Sequence, residues 1–228
     1  MIKQKKHGNL IIISGTTCAG KGTVIQELLN RNSNLSLSVS YTSRKKRDGE
    51  IEGKDYYFIN KEQFEDKIKS DEMLEYEIVH QDHYYGTPKK EVKKLLDTGK
   101  DVILELDVKG AQHVKEMFPE TILIFILAPS MEIVKERIKA RGKENNEQII
   151  KRFQAAYQEI NEIPKYNYVV VNDVLEDAVK KVEAILLSET CRVDRIEEIA
   201  VENKEEIIHE FLMDKEFDNS PLYEDKLN

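Results

Sequence analysis

The fold is decided by the stretch Leu10-Ile11-Ile12-Ile13-Ser14-Gly15-Thr16-Thr17-Cys18-Ala19-Gly20-Lys21-Gly22-Thr23. Its four consecutive apolar residues are typical of a short parallel strand that is buried on both faces. A glycine, four further residues, a second glycine and a lysine come next, and an amphipathic helical pattern follows them. This order of strand, glycine-rich loop and helix predicts a phosphate-binding loop rather than a simple glycine turn.

The residue types of this loop suit phosphate binding. Gly15 and Gly20 allow the backbone to turn its N–H groups towards phosphate oxygens, and the following helix N-terminus adds positive potential. Lys21 supplies a charge that reaches the β- and γ-phosphates of a nucleotide. The residue after Lys21 is Gly22, where a hydroxyl ligand for Mg²⁺ is usual. Either Thr23 takes that role, or the ion is held mainly by phosphates, waters and carboxylates.

Size and composition set limits on the other parts of the chain. With 228 residues, 40% hydrophobic and 34% charged, the chain is expected to form one or two globular domains. Its apolar runs are shorter than the roughly 18 residues that a membrane span needs. Cys18 and Cys191 are too far apart in sequence, and too isolated from other ligands, to indicate a disulfide framework or a zinc site. Because the basic start lacks a signal-type apolar region, we expect a cytoplasmic protein.

The negative charge is concentrated at the C-terminal end. Residues 188–228 contain 13 acidic and 5 basic residues, which accounts for the whole formal charge of −8. The preceding 187 residues are neutral overall, so neither a nucleic acid nor a membrane partner is expected. Residues 189–228 are predicted to form an acidic, helical C-terminal extension.

The order of apolar patterns predicts an α/β fold. Short hydrophobic runs at Leu10–Ile13, Val102–Leu106, Ile122–Leu127 and Tyr168–Val171 alternate with segments of helical periodicity. The stretch from Ser40 to Tyr85 differs, because it contains six of the ten tyrosines and several turn sequences. It predicts an inserted small subdomain, although its tyrosines could equally be packing residues of an antiparallel sheet.

This insertion also contains a second candidate anion site. Arg44 and Arg47 lie three residues apart and offer two guanidinium groups to a phosphate. Downstream, Glu75 and the sequence Tyr84-Tyr85-Gly86-Thr87 place a carboxylate and hydroxyls in one region. A carboxylate beside a hydroxyl could recognise the hydrogen-bonding edge of guanine.

Taken together, the motifs resemble those of guanylate kinases of the bacterial type. The resemblance covers residues 8–188 and several motifs in the family's order: the phosphate-binding loop, Ser38–Glu50, Gly53–Phe58, Tyr84–Thr87, Leu104–Ala111, Arg137–Gly142 and Val171–Asp173. It implies phosphoryl transfer from ATP to GMP, with Mg²⁺ as the cofactor. The implied fold is a P-loop NTPase-type parallel sheet flanked by helices, with an inserted α+β GMP-binding subdomain and a helical lid.

The resemblance also implies roles for individual residues. Those expected to bind GMP are Ser40, Arg44, Arg47, Tyr56, Glu75, Tyr85, Thr87 and Asp107. Those expected to act on the transferred phosphoryl group are Lys21, Arg137, Arg141 and Arg152. The ATP site would comprise Gly15, Thr16, Thr17, Cys18, Ala19, Gly20, Lys21, Gly22, Thr23 and Asn172, and Mg²⁺ would be held, mostly through water, by Thr23, Glu105 and Asp107.

In terms of domains, the resemblance implies a core of residues 8–39 and 92–188, a GMP-binding insertion of about 40–91 and a lid of about 137–160. Two alternatives remain at this stage. A kinase for a phosphorylated sugar would not need Glu75 and Thr87, and a non-catalytic binding scaffold of the same fold would not need Gly20 and Lys21. The protein could also form a homo-oligomer.

Overall fold

A computed structural model describes residues 2–4, 7–79, 83–140 and 146–199. The elements in chain order are β1 Ile2–Gln4, β2 Leu10–Gly15, α1 Lys21–Arg31, β3 Leu35–Leu37, β4 Tyr41–Thr42, β5 Tyr57–Phe58, α2 Lys61–Lys69, β6 Met73–Val79, β7 His83–Pro88, α3 Lys89–Asp97, β8 Asp101–Glu105, α4 Val108–Met117, β9 Ile122–Leu127, α5 Met131–Ala140, α6 Asn146–Ile160, β10 Tyr168–Val171, α7 Leu175–Glu189 and β11 Ile196–Ile199. The described residues fall into two compact units, one of residues 7–186 and one of Ile2–Gln4 with residues 187–199.

A five-stranded parallel sheet forms the centre of the larger unit. Its strand order is β10-β9-β2-β8-β3, and every pair of neighbours runs parallel. The four strands predicted from apolar runs are present, and the predicted fold class is confirmed. Strand β3 was not predicted, because its sequence Leu35-Ser36-Leu37 is too short to give a pattern and only Leu35 is buried.

Hydrophobic residues pack on both faces of this sheet. Ile11 and Ile13 of β2 face α1 and α7, which contribute Val24, Leu28 and Val182 among others. Ile12 faces the opposite way, into a second cluster with residues of α3 and α4. Successive side chains of a strand point to opposite faces, so a strand covered on both sides needs the continuous apolar run that the sequence has.

The insertion forms a second, smaller sheet with the order β5-β4-β7-β6. Strands β6 and β7 pair antiparallel, with Glu75 opposite Thr87 and Glu77 opposite Tyr85. Helix α2 packs against this sheet through Phe64, which is fully buried. The segment therefore has mixed α+β structure, whereas its limits as a domain stay a prediction.

Helix α6 and the last residues of helix α5 lie in the range predicted for a lid, about 137–160. The two helices pack on each other through Val134, Ile138 and Ala156, with Phe153 at the border of the cluster. Residues 141–145, between the two helices, lie outside the described residues.

In the smaller unit, β1 and β11 form an antiparallel pair in which Ile2 lies opposite Ile199. The first described part of the acidic extension is thus a short 3₁₀ helix at Val193–Arg195 followed by a strand, where a helix was predicted. Backbone pairing with β1 explains the difference, because this partner is remote in sequence. Residues 200–228 lie outside the described residues. No helix in the described part of the chain has the length and apolarity to cross a membrane.

Candidate active site

The carboxyl-terminal edge of the central sheet brings the sequence-predicted residues together. The phosphate-binding loop follows β2 at the middle of the sheet, Glu105 ends β8 and Asp107 follows it, and Asn172 follows β10. Ligands of open α/β sheets bind at this edge, where neighbouring connections leave in opposite directions.

The phosphate-binding loop is compact, and Gly15 and Gly20 are needed for close approach of other groups. Gly20 has φ +85°, and a Cβ on it would lie 2.6 Å from Nδ2 of Asn172. Lys21 donates from Nζ to the carbonyl oxygen of Gly15 at 2.8 Å and to that of Thr16 at 3.3 Å. The ammonium group therefore lies beside the carbonyl oxygens at the start of the loop. Gly22 and Thr23 are exposed in the first turn of α1, where backbone N–H groups have no partner within the helix.

The loop is held by hydrogen bonds within itself and to other parts of the protein. The Thr16 amide donates to the carbonyl oxygen of Ile126 at 3.3 Å, and the Ala19 amide donates to that of Thr16 at 3.1 Å. Asn172 is buried and donates from Nδ2 to the carbonyl oxygen of Ala19 at 2.8 Å. Asn172, which the resemblance assigns to the ATP site, thus also ties the loop to the end of β10.

Both helices of the predicted lid contact the loop. Arg137 of α5 donates to the carbonyl oxygen of Cys18 at 3.2 Å. Glu159 of α6 accepts from the Thr17 amide at 3.0 Å. Arg152 lies on α6, two turns before Glu159 and half-buried. Arg141 lies outside the described residues.

In the insertion, Glu75 and Thr87 form a buried polar pair. The Thr87 hydroxyl donates to Oε1 of Glu75 at 2.6 Å, and the two side chains are 1% and 6% exposed, respectively. Desolvation by burial raises the pKa of Glu75 to about 7, against the opposing effect of the Thr87 hydrogen bond. A ligand whose N–H groups donate to this buried carboxylate would replace its lost hydration and stabilise its ionised form.

Asp107 lies near this pair. Its Oδ1 accepts from the Gly110 amide at 2.8 Å, which caps the N-terminus of α4. A Cβ on Gly110 would lie 3.2 Å from Oε2 of Glu75 and 3.4 Å from Oδ1 of Asp107, so Gly110 separates the two carboxyl groups with little spare room. The side chain of Glu77 is hydrogen-bonded to Asp107, which raises the pKa of Glu77.

The predicted phosphate-binding residues of the insertion are already connected with one another. Arg44 is buried, forms a two-pronged ion pair with Glu50 at 2.7 and 2.8 Å, and donates from Nε to the Tyr85 hydroxyl at 3.0 Å. The hydrogen bonds from Arg44 lower the pKa of Glu50 to about 2. The guanidinium also lies 5.2 Å from the ring centre of Tyr56.

The other predicted GMP ligands differ in exposure. Arg47 is exposed, and its backbone amide donates to Glu50 at 2.7 Å. Tyr56 is half-buried, and burial raises its pKa, so its hydroxyl stays a hydrogen-bond donor at neutral pH. Ser40 is half-buried and its carbonyl oxygen accepts from the Tyr57 amide at 2.9 Å.

The residues predicted to hold Mg²⁺ lie around the loop, although they do not form a ready cage. Desolvation raises the pKa of Glu105, while the nearby charge of Lys21 lowers it. Among the described residues, no three His, Cys, Asp or Glu side chains are grouped as metal ligands would be. Mg²⁺ bound to nucleotides needs only one or two carboxylates, with phosphates and waters as its other ligands, so this donor set fits.

Three acidic residues at the site were not singled out in the sequence. Glu50 neutralises Arg44, Glu77 contacts Asp107, and Glu159 holds the loop. The spacing of Glu77, two residues after Glu75 on a strand, was a usable signal, because alternate residues share a face. Glu77, Asp107, Gln112 and Glu159 line one cavity of about 630 Å³.

Comparisons with known proteins agree on one family. The family model described as guanylate kinase matches residues 7–189. The guanylate kinase of Clostridium tetani is 56% identical over 209 residues, covering 92% of this chain and 100% of that protein. The guanylate kinase of Caldanaerobacter subterraneus subsp. tengcongensis is 51% identical, covering 90% and 98%. A crystal structure of guanylate kinase from Anaplasma phagocytophilum has a TM-score of 0.71 at 32% identity, covering 85% of this chain and 92% of that chain.

Proposed function

Since the chain belongs to the guanylate kinase family, we propose that the residues described above transfer the γ-phosphoryl group of ATP to GMP, giving ADP and GDP. The observation that carries this assignment is the buried Glu75–Thr87 pair in the same compact unit as a lysine-containing phosphate-binding loop. A nucleotide loop alone would suit many kinases. The buried carboxylate and hydroxyl add a site for a base with adjacent N–H donors and a carbonyl acceptor.

Guanine recognition is assigned to Glu75, Thr87 and Asp107. Ionised Glu75 accepts from N1–H and the exocyclic amine, and the Thr87 hydroxyl turns from Glu75 to donate to O6. Asp107 lies close enough to Glu75 to contribute to binding the amine. An adenine base offers no donor at N1, so it would leave the buried carboxylate unpaired, which a desolvated site penalises strongly.

The GMP phosphate is assigned to Ser40, Arg44, Arg47, Tyr56 and Tyr85. Because Glu50 already pairs with Arg44, the phosphate would share that guanidinium with Glu50 or displace the carboxylate in part. In the protein without GMP, Glu50 stabilises the buried guanidinium of Arg44, because a buried charge without a partner lowers the free energy of unfolding.

Transfer itself needs positioning and positive charge. The transition state of phosphoryl transfer is loose and highly charged, so catalysis comes mainly from aligning the two nucleotides and neutralising oxygens. Lys21, Arg137, Arg141 and Arg152 are the cations assigned to this task. The GMP phosphate oxygen attacks directly, because it is already ionised at neutral pH, so no protein nucleophile is required.

Mg²⁺ is part of the proposal. Thr23, Glu105 and Asp107 would hold the ion, mostly through water, and when bound it supplies positive charge to the ATP phosphates. ATP itself is assigned to residues Gly15 to Thr23 with Asn172. A cytoplasmic location belongs to the same proposal, and self-association stays a prediction.

The direct test is an assay of ADP production with a panel of acceptors. We expect rapid turnover with GMP, and little with AMP or with ribose phosphates. Equal use of a ribose phosphate would assign the site to a phosphorylated sugar. Nucleotide binding without turnover of any acceptor would indicate a binding scaffold.

A further inference from the structure

The Thr17 amide donates to Oε2 of Glu159 at 3.0 Å, and this is the only hydrogen bond from that amide to another described residue. The two residues are 142 positions apart, so the contact joins the phosphate-binding loop to the C-terminal part of α6. The side chain of Glu159 is half-buried, and burial raises its pKa.

A carboxylate beside a phosphate-binding loop repels nucleotide phosphates, so it disfavours binding unless it also stabilises the loop. Glu159 lies near Lys21, whose charge lowers the pKa of Glu159 while burial raises it. Negative charge here opposes the approach of ATP phosphates. We therefore expect Glu159 to stabilise the loop conformation enough to offset this repulsion, and the hydrogen bond from the Thr17 amide is the contact that does so.

The loop needs support at this point. Cys18, the next residue, has φ +63°, which is a left-handed conformation that costs a non-glycine residue about 1 kcal/mol or more. Two charged side chains hold peptide groups close to Cys18: Glu159 accepts from the N–H of the Thr16–Thr17 peptide, and Arg137 donates to the carbonyl oxygen of the Cys18–Ala19 peptide. These contacts restrain the backbone one residue before the left-handed turn and directly after it.

Helix α6 also carries Arg152, seven residues before Glu159. Residues seven apart lie on the same face of a helix, two turns from each other. The anchor at Glu159 therefore restrains the face of α6 that presents Arg152.

We propose that Glu159 is a positioning residue for ATP, which holds the start of the phosphate-binding loop in its left-handed turn by accepting a hydrogen bond from the Thr17 amide. The assignment rests on the proposed function, since it concerns the same reaction. Glu159 acts through the loop and does not itself contact the reacting atoms.

The test compares Glu159→Ala, which removes the acceptor, with Glu159→Gln, whose amide oxygen can still accept from Thr17. Glu162→Ala is the matched control, because Glu162 lines the same cavity and carries the same charge. For each variant we would measure KM and kcat separately for ATP and GMP, the dissociation constant of ADP by titration, and the melting temperature.

We expect Glu159→Ala to raise KM for ATP and the dissociation constant of ADP by about tenfold, as for loss of one hydrogen bond that holds a loop amide. KM for GMP should change by less than about twofold, and Glu159→Gln should recover most of the loss. Glu162→Ala should bind ADP as the unaltered protein does.

Two results would overturn the proposal. One is unchanged ADP and ATP binding in a folded Glu159→Ala variant. The other is an effect of Glu159→Gln as large as that of Glu159→Ala, which would assign the effect to charge. Failure of the unaltered protein to phosphorylate GMP would instead contradict the proposed function, whereas the ADP titrations would still decide the role of Glu159.

Discussion

At the scale of single residues, burial of the Glu75 carboxyl group lowers the free energy of unfolding at neutral and higher pH. In the native state the Glu75 carboxyl group keeps its proton up to about pH 7, whereas in an unfolded chain it releases the proton near pH 4.5. Over this interval the native state binds more protons than the unfolded state, so the free energy of unfolding falls as pH rises. The contribution is complete below pH 4.5 and is lost as pH passes through 7.

Glu75→Gln should remove this pH dependence, because the amide cannot ionise but can still accept from Thr87. We expect the variant to be more stable than the unaltered protein at pH 8, by on the order of 2–3 kcal/mol, and similar to it at pH 4.5. It should also lose GMP turnover while retaining ADP binding. Denaturant unfolding at both pH values measures the first effect, and a stability difference independent of pH would contradict this explanation.

Lys21 is the residue whose removal should affect chemistry most and folding least. Its ammonium group donates to the loop carbonyl oxygens of Gly15 and Thr16, and the hydrophobic clusters do not include Lys21. We expect Lys21→Ala to lower kcat by about a hundredfold or more with a nearly unchanged melting temperature. Lys135→Ala, on the exposed surface of α5, is the control. Near-normal turnover in a folded Lys21→Ala protein would refute the role of the loop.

At the scale of elements, α2 is an example of a helix whose start is defined locally. Asn60 accepts from the Gln63 amide at 2.8 Å, and Gln63 accepts from the Asn60 amide at 3.0 Å, which is a capping box. Phe64 is the one buried residue of this helix, and it packs against the sheet proposed to bind GMP. Its stability therefore depends on this cap more than that of a helix with a wide apolar face.

Asn60→Ala should lower the free energy of unfolding by about 1 kcal/mol, the usual cost of losing such a cap. Because Asn60 is exposed and is not among the proposed ligands, KM for GMP should change little. Lys69→Ala, at the exposed end of the same helix, should change stability by only ~0.3 kcal/mol, because its ion pair with Asp66 is exposed. A loss of stability that is equal in both variants would show that the capping hydrogen bonds contribute nothing measurable.

At the scale of the whole molecule, the acidic end of the chain follows all the proposed ligand residues in sequence. All proposed ligands lie between Gly15 and Asn172, and the larger unit ends at Leu186. Residues 200–228 contain nine acidic and three basic residues, a charge that disfavours nucleotide phosphates. This segment is therefore not expected to take part in catalysis.

A protein shortened to end at Ile199 should keep kcat and both KM values within about twofold, the range typical of changes far from a site. Shortening at this position retains α7 and the β1–β11 pair, whereas a cut at Ser188 would remove buried Glu189. Kinetics and light scattering of both lengths check this prediction. A large loss of activity together with a smaller particle would show that the segment is needed for assembly.

The sequence by itself determined the fold class, the nucleotide loop and the types of most site residues. These depend on local patterns: an apolar run before Gly15, the spacing of Gly20 and Lys21, and charged residues at fixed intervals. Tertiary structure decided which of these residues meet. The register of β6 and β7 places Glu75 against Thr87, and the packing of α6 brings Glu159 to the loop. Packing and burial also decide three contacts of acidic residues, which are Arg44–Glu50, Glu77–Asp107 and Glu159–Thr17. The sequence does not show these contacts, because an Asp or Glu has the same letter whether water or a protein donor surrounds its carboxylate.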